Sequence, residues 1–182
     1  MRLPYPCAMR ALTALLLAAL PLAAGAAPPA DRLAERLPEP YPGYARECGY
    51  PILFKATRHV SFARIHPRHG PVIWLDPTLS LPHQRMHRLF LIAHECAHHR
   101  LGHTTPRGLK LRAGLNGVPD QELSADCWAA EALTRAGHER MARLIGDQMY
   151  RKGLYSPGAR YPSGVQRSTM IVHCIDRAKA LR

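Results

Sequence analysis

A chain of 182 residues, 47% apolar and 21% charged, is sized for one compact domain and has neither the composition of a disordered segment nor that of a repeat array. Its net charge of +12 reads as a solvated basic surface. No aromatic residues are interleaved among the basic ones as a nucleic-acid face requires, so acidic envelope polymers or acidic substrates are the natural anionic contacts.

The chain opens with Arg2 and Arg10, an uncharged apolar run from Ala11 to Leu22, and Ala24-Gly25-Ala26. A positive start, a short apolar run and a small-residue cleavage pattern are the parts of a secretory signal peptide. Residues 1–26 are therefore expected to be removed near Ala26, giving a periplasmic or secreted product. The apolar run is short for a membrane span, and no later run is long enough to cross a bilayer. These first residues hold two arginines and no acid, so the remainder keeps +10. Residues 27–47 are rich in proline and read as a linker, and the domain is expected over 48–182. Cys7 leaves with the signal peptide. Cys48, Cys96, Cys127 and Cys174 remain, and an even number in an exported chain suggests two disulfides with three possible pairings. Cys48–Cys96 with Cys127–Cys174 is the preferred one.

Two short apolar or β-branched runs, Tyr50 to Lys55 and Val72 to Asp76, read as strands, with a third around Val60 to Ile65. Pro82 to Leu101 has helical periodicity, and Gly102 follows as a stop signal. Thr104 to Val118 holds three glycines and a proline and reads as a loop. A second helix is expected from Pro119, with Asp120 as its N-cap, to about Ala136. Glu139 to Lys152 and Val165 to Leu181 read as the last two helices, with a turn-rich stretch over 153–164. Strands first and helices after make the class α+β.

The chemistry concentrates on the first helix. His94 and His98 are four residues apart, which places both imidazoles on one face, one turn apart, where they can share a zinc ion. Glu95, beside His94, sits where a general base must be to deprotonate zinc-activated water. A catalytic zinc takes three protein ligands and keeps one open position. Glu122 is the best third ligand. Asp126, four residues on and on the same helix face, would accept a hydrogen bond from the free ring nitrogen of a ligating histidine, His94 for choice. His103 is the rival, but it lies five residues after His98 and the metzincin spacing is six. His99 points away from the metal face. His87 shares the face of His94 near the site mouth. Solvated or capping roles are expected for these three. Cys96 faces away from the metal and is read as a disulfide or packing residue.

The run His94-Glu95-Cys96-Ala97-His98-His99, followed by Glu122-Leu123-Ser124-Ala125-Asp126, resembles the gluzincin peptidases of the family that includes the CAAX-prenyl protease and the heat-shock protease HtpX. A third match is Tyr161-Pro162-Ser163-Gly164-Val165-Gln166-Arg167. Family members often carry a His-Pro pair there with an arginine six residues after the histidine, and Tyr161 stands in place of that histidine. The resemblance covers roughly residues 72–175 and is shared in part with the ImmA-type regulatory peptidases. It implies a zincin-like fold: a small N-terminal β-sheet, then a metal-binding helix and three further helices, in a minimal exported relative without membrane helices. It places Arg167 near the active site, orienting a carboxylate or stabilising the oxyanion, and Tyr161 where a phenol could donate to the tetrahedral intermediate. Val72 to Asp76 resembles the zincin edge strand, which could hold an extended peptide by β-augmentation.

The expected activity is zinc-dependent hydrolysis of peptide bonds in envelope or periplasmic proteins, with one Zn²⁺ and Glu95 as base. The alternative is a non-catalytic zinc-binding assembly or regulatory module with a peptidase-like fold, and a four-ligand closed site that includes His103 would favour it. Hydrolysis of a non-peptide amide, such as a peptidoglycan link, is a third possibility.

Overall fold

The computed structural model describes residues 48–56, 61–80 and 85–181. The expected signal peptide and proline-rich linker lie outside the described residues. Among the described residues the architecture is α+β: a three-stranded sheet followed by a short 3-10 turn and five helices. The strands are β1 (Ile52–Phe54), β2 (Phe62–His66) and β3 (Gly70–Leu75), in the order β1-β3-β2. β3 pairs parallel to β1, with Ile52 opposite Ile73, and antiparallel to β2, with Ala63 opposite Ile73. The strand that resembles a zincin edge strand is thus the central one, and its Val72, Ile73 and Leu75 are fully buried. A near-continuous apolar run is what a strand flanked on both sides requires. The outer strand beside the functional residues is β2.

The helices are α1 (Arg85–Arg100), α2 (Pro106–Ala113), α3 (Gly117–Arg135), α4 (Glu139–Arg151) and α5 (Gly164–Ala180). Among the described residues four helices therefore follow α1, where the sequence predicts three. α2 occupies what reads as a glycine-rich loop. Its local signals are nonetheless helical: the Thr105 hydroxyl accepts from the Gly108 amide at 3.1 Å, and Pro106 takes the first turn, where its missing N–H costs nothing. Helix α3 begins at Gly117, before Pro119, and Asn116 holds the N-cap position in place of Asp120. Pro119 still falls in the first turn, which tolerates it. Helix α5 starts on a capping box between Ser163 and Gln166.

α1 lies between two apolar clusters. Phe90 and Ala93 join Ala129, Leu133, Ile145, Ile171 and Ile175 in a helical core, while Ile92 and Cys96 join Cys48, Ile52, Ile73 and Leu75 against the sheet. Disulfides join Cys48 to Cys96 and Cys127 to Cys174, as preferred from the sequence. The first ties the segment before β1 to α1, and the second ties α3 to α5. Among the described residues no helix is long and apolar enough to cross a membrane.

Candidate metal centre

Both clusters hold α1 so that the face between them, carrying His94 and His98, turns to the N-terminal half of α3. Glu122 and Asp126 answer from α3. His94 Nε2 lies 3.1 Å from His98 Nε2 and 3.2 Å from Glu122 Oε2, and His98 Nε2 lies 3.8 Å from Glu122 Oε1. All three side chains are buried. A tetrahedral zinc bonded to nitrogen and oxygen at about 2.0–2.1 Å spaces its ligands by roughly 3.3 Å, so the donor set fits one such ion. His94, His98 and Glu122 are a group able to hold a metal. Cys127, Glu131 and Cys174 also converge, but those cysteines are joined in a disulfide and have no thiolate to offer.

Each of these three side chains has an outer partner. His94 Nδ1 donates to Asp126 Oδ1 at 2.9 Å, and Arg167 grips the same carboxylate with Nε and Nη2, both at 2.7 Å. Arg167 therefore orients Asp126, and two of its donors are committed there. Asp126 is fully buried, where an unpaired carboxylate would not survive. Glu122 Oε1 accepts from Arg112 Nη2 at 3.0 Å, and the same nitrogen donates to the Tyr161 phenol oxygen at 3.1 Å. Tyr161 thus stands at the exposed rim, one guanidinium away from Glu122. His98 meets His103, with the two Nδ1 atoms 3.0 Å apart. His103 is not part of the three-ligand cluster.

Glu95 turns toward the sheet. Its Oε1 accepts from the Ser61 hydroxyl at 2.9 Å, and the Ala63 amide also donates to it. Burial pushes the Glu95 carboxyl up; the charge of His94 and the bonds from Ser61 and Ala63 only partly counter this. For Glu122, burial acts in the same sense, but hydrogen bonding and charge from His94, then His98 and Arg112, hold it well below the usual carboxylate range. Burial also opposes charge on Asp126, and Arg167 and His94 outweigh it. For His94 burial favours the neutral ring, yet the bonds to Asp126 and Glu122 raise it to about 10. His98 is lowered to about 3 by burial and by the charge on His94. The pull that keeps a proton on His94 is one a divalent cation would answer.

The remaining sequence-predicted positions sort plainly. His99 is buried, not solvated: Nε2 donates to the Val72 carbonyl at 2.9 Å, Nδ1 accepts from Thr104 Oγ1 at 2.9 Å, and Tyr50 packs on the ring. It pins the last turn of α1 to β3. His87 is half-buried, within the electrostatic reach of Lys152 and Arg167. Ser61 and Arg112 were not visible as functional residues in the sequence. Neither belongs to a motif, and only tertiary packing brings them to Glu95 and Glu122.

No protein-family model, curated protein or solved structure matches this chain.

Proposed function

We propose that this chain is an exported zinc-dependent peptidase of gluzincin type. The observation that carries the reading is the convergence of His94 Nε2, His98 Nε2 and the Glu122 carboxylate on one point, with Glu95 next in sequence to the first ligand. A zinc ion bound there supplies Lewis-acid polarisation of the scissile carbonyl and lowers the pKa of water. The chain's own residues do the rest. Glu95, steadied by Ser61 and the Ala63 amide, takes the proton of the attacking water and passes it to the leaving amine. Its burial suits a base whose pKa must lie nearer neutrality than that of a free carboxylate. Tyr161 accepts from Arg112, which leaves its own O–H free to donate to the carbonyl oxygen as negative charge develops. Arg167 holds Asp126, and through it His94. An extended substrate would lie along β2, since Ala63 within this outer strand and Ser61 just before it reach Glu95.

The two disulfides agree with an oxidising compartment and with periplasmic or secreted protein substrates. A non-catalytic module with a closed site finds less support, because the fourth donor it needs, His103, faces the outer nitrogen of His98.

The test is Glu95→Gln. Cleavage of casein or a peptide library is expected to fall roughly 10²- to 10⁴-fold, the usual share of a general base, with zinc content measured by elemental analysis unchanged. Wild-type cleavage by that variant would overturn the assignment, and zinc-loaded wild-type protein that cleaves nothing would favour the module.

A further inference from the structure

His103 lies outside the ligand cluster, but the end of α1 is built to deliver it to one ligand. Gly102 follows the helix with φ 75°. Its amide donates to the His99 carbonyl at 3.0 Å, and the His103 amide donates to the His98 carbonyl at 2.8 Å. This pair of bonds is a Schellman turn, which sets the residue after the glycine on the residue two positions before the helix's last one. Here those residues are His103 and His98, and their rings meet edge-on with centroids 5.0 Å apart. The next helix closes the turn from outside: a Cβ at Gly108 would collide with the Gly102 carbonyl and the His103 backbone.

Two ring nitrogens 3.0 Å apart bind each other only when one carries a proton and the other a lone pair. His98 Nε2 must offer its lone pair to the cation, so the His98 proton belongs on Nδ1 and is donated to His103 Nδ1. The His103 proton then sits on Nε2, facing Ser124 Oγ at 3.5 Å, while the Ser124 hydroxyl donates to the Gln121 carbonyl at 3.1 Å. Every hydrogen in this chain has an acceptor. We infer that His103 is a positioning residue of the metal centre: it accepts the His98 Nδ1–H and so fixes the ring and tautomer that turn the His98 Nε2 lone pair toward the ion. The inference rests on the metal-binding part of the function proposed above. It also makes the two histidine ligands unequal, since His94 leans on a carboxylate and His98 on a neutral ring.

Zinc affinity, read by chelator competition, is to be compared among the wild type, His103→Leu and His103→Asn. In parallel, ¹⁵N-labelled wild-type protein loaded with zinc is examined for scalar coupling across the His98 Nδ1–H···Nδ1 His103 bond. The Leu variant is expected to bind roughly 10- to 100-fold more weakly. The Asn variant, whose amide oxygen occupies the place of Nδ1, should recover most of that loss, and the coupling should be present. Unchanged affinity in the Leu variant or an Asn variant as weak as the Leu variant would each overturn the inference while leaving the metal site standing, whereas a His98 proton on Nε2 would overturn the inference and also remove that nitrogen from the ligand set. A wild type that takes up no zinc would overturn both. Should His103→Leu fail to fold, the coupling in the wild type decides alone.

Discussion

The two halves of α3 make unlike use of the same helix. In the N-terminal half, Gln121, Glu122 and Asp126 are buried and polar beside Val118 and Ala125; in the C-terminal half, Ala129, Ala130, Ala132 and Leu133 are buried and apolar, and the buried Thr134 hydroxyl is satisfied by the Ala130 carbonyl of the same helix. The apolar half contributes stability by removing hydrocarbon from water. The polar half contributes little or nothing net, because desolvating its carboxylates costs about as much as Arg112, Arg167 and His94 return. What the polar half gains from its neighbour is position. Glu122 and Asp126 are held opposite His94 because Ala129 and Leu133, further along the same rigid helix, are packed against Phe90, Ile171 and Ile175. Stability and chemistry are thus separated along 19 residues, and each can be perturbed without the other.

The largest effect is expected from Leu133→Ala in the apolar half. Leu133 is fully buried, so the loss of apolar contact and the cavity left behind should cost about 2–5 kcal/mol, measured by urea unfolding. The fraction still folded should bind zinc with the affinity of the wild type. A parallel fall in zinc affinity would show that the two halves are not separable. Arg112→Gln probes the other half. Arg112 is partly exposed, and its ion pair with Glu122 should contribute no more than about 1 kcal/mol to stability. As the group that fixes the third ligand it should matter more to the ion, with zinc affinity falling roughly 10-fold or more. A variant with altered stability and unaltered zinc affinity would reverse that assignment.

Helix geometry decides which of these residues could be read from sequence. His94, Glu95, His98, Glu122 and Asp126 were legible because each pair lies within one helix, where a spacing of four fixes the shared face. The chosen disulfide pairing was legible as one of three. Arg112 was hidden because its helix contains Gly108 and is bounded by Gly114 and Gly117, so composition reads as loop while Thr105-Pro106 reads as a helix start. Ser61 lies 34 residues before Glu95, with no local pattern to join them. The sheet order could not be read either, since β1 and β3 pair directly although β2 lies between them in sequence, and the central strand therefore read as an edge. His103 is the instructive case. The metzincin spacing rejects it as a ligand, yet Gly102-His103 carries the signature of a Schellman turn, and that turn alone predicts contact with His98.

The polar half should also reveal itself by titration, which the apolar half cannot do. In metal-free protein, His94 is raised from 6.5 to about 10. Its contribution to stability is therefore fully present below 6.5 and is lost as pH rises toward 10. His98 is lowered from 6.5 to about 3, so its contribution is present above 6.5 and is lost as pH falls toward 3. The two slopes have opposite sign and meet near 6.5, and each is limited to one proton, about 1.4 kcal/mol per pH unit at most. Glu122 and Asp126, both held below the usual range, steepen only the acid limb, where unfolded carboxylates take up protons first. Unfolding free energy of metal-free protein, followed by urea titration from pH 4 to 10, should therefore peak near pH 6–7. Glu122→Gln should flatten the alkaline limb in particular, because it removes one of the two carboxylates that keep the proton on His94. An alkaline limb unchanged by that substitution would mean that Asp126 alone holds the proton, and that Glu122 is coupled to the histidines less closely than the 3.2 Å contact implies.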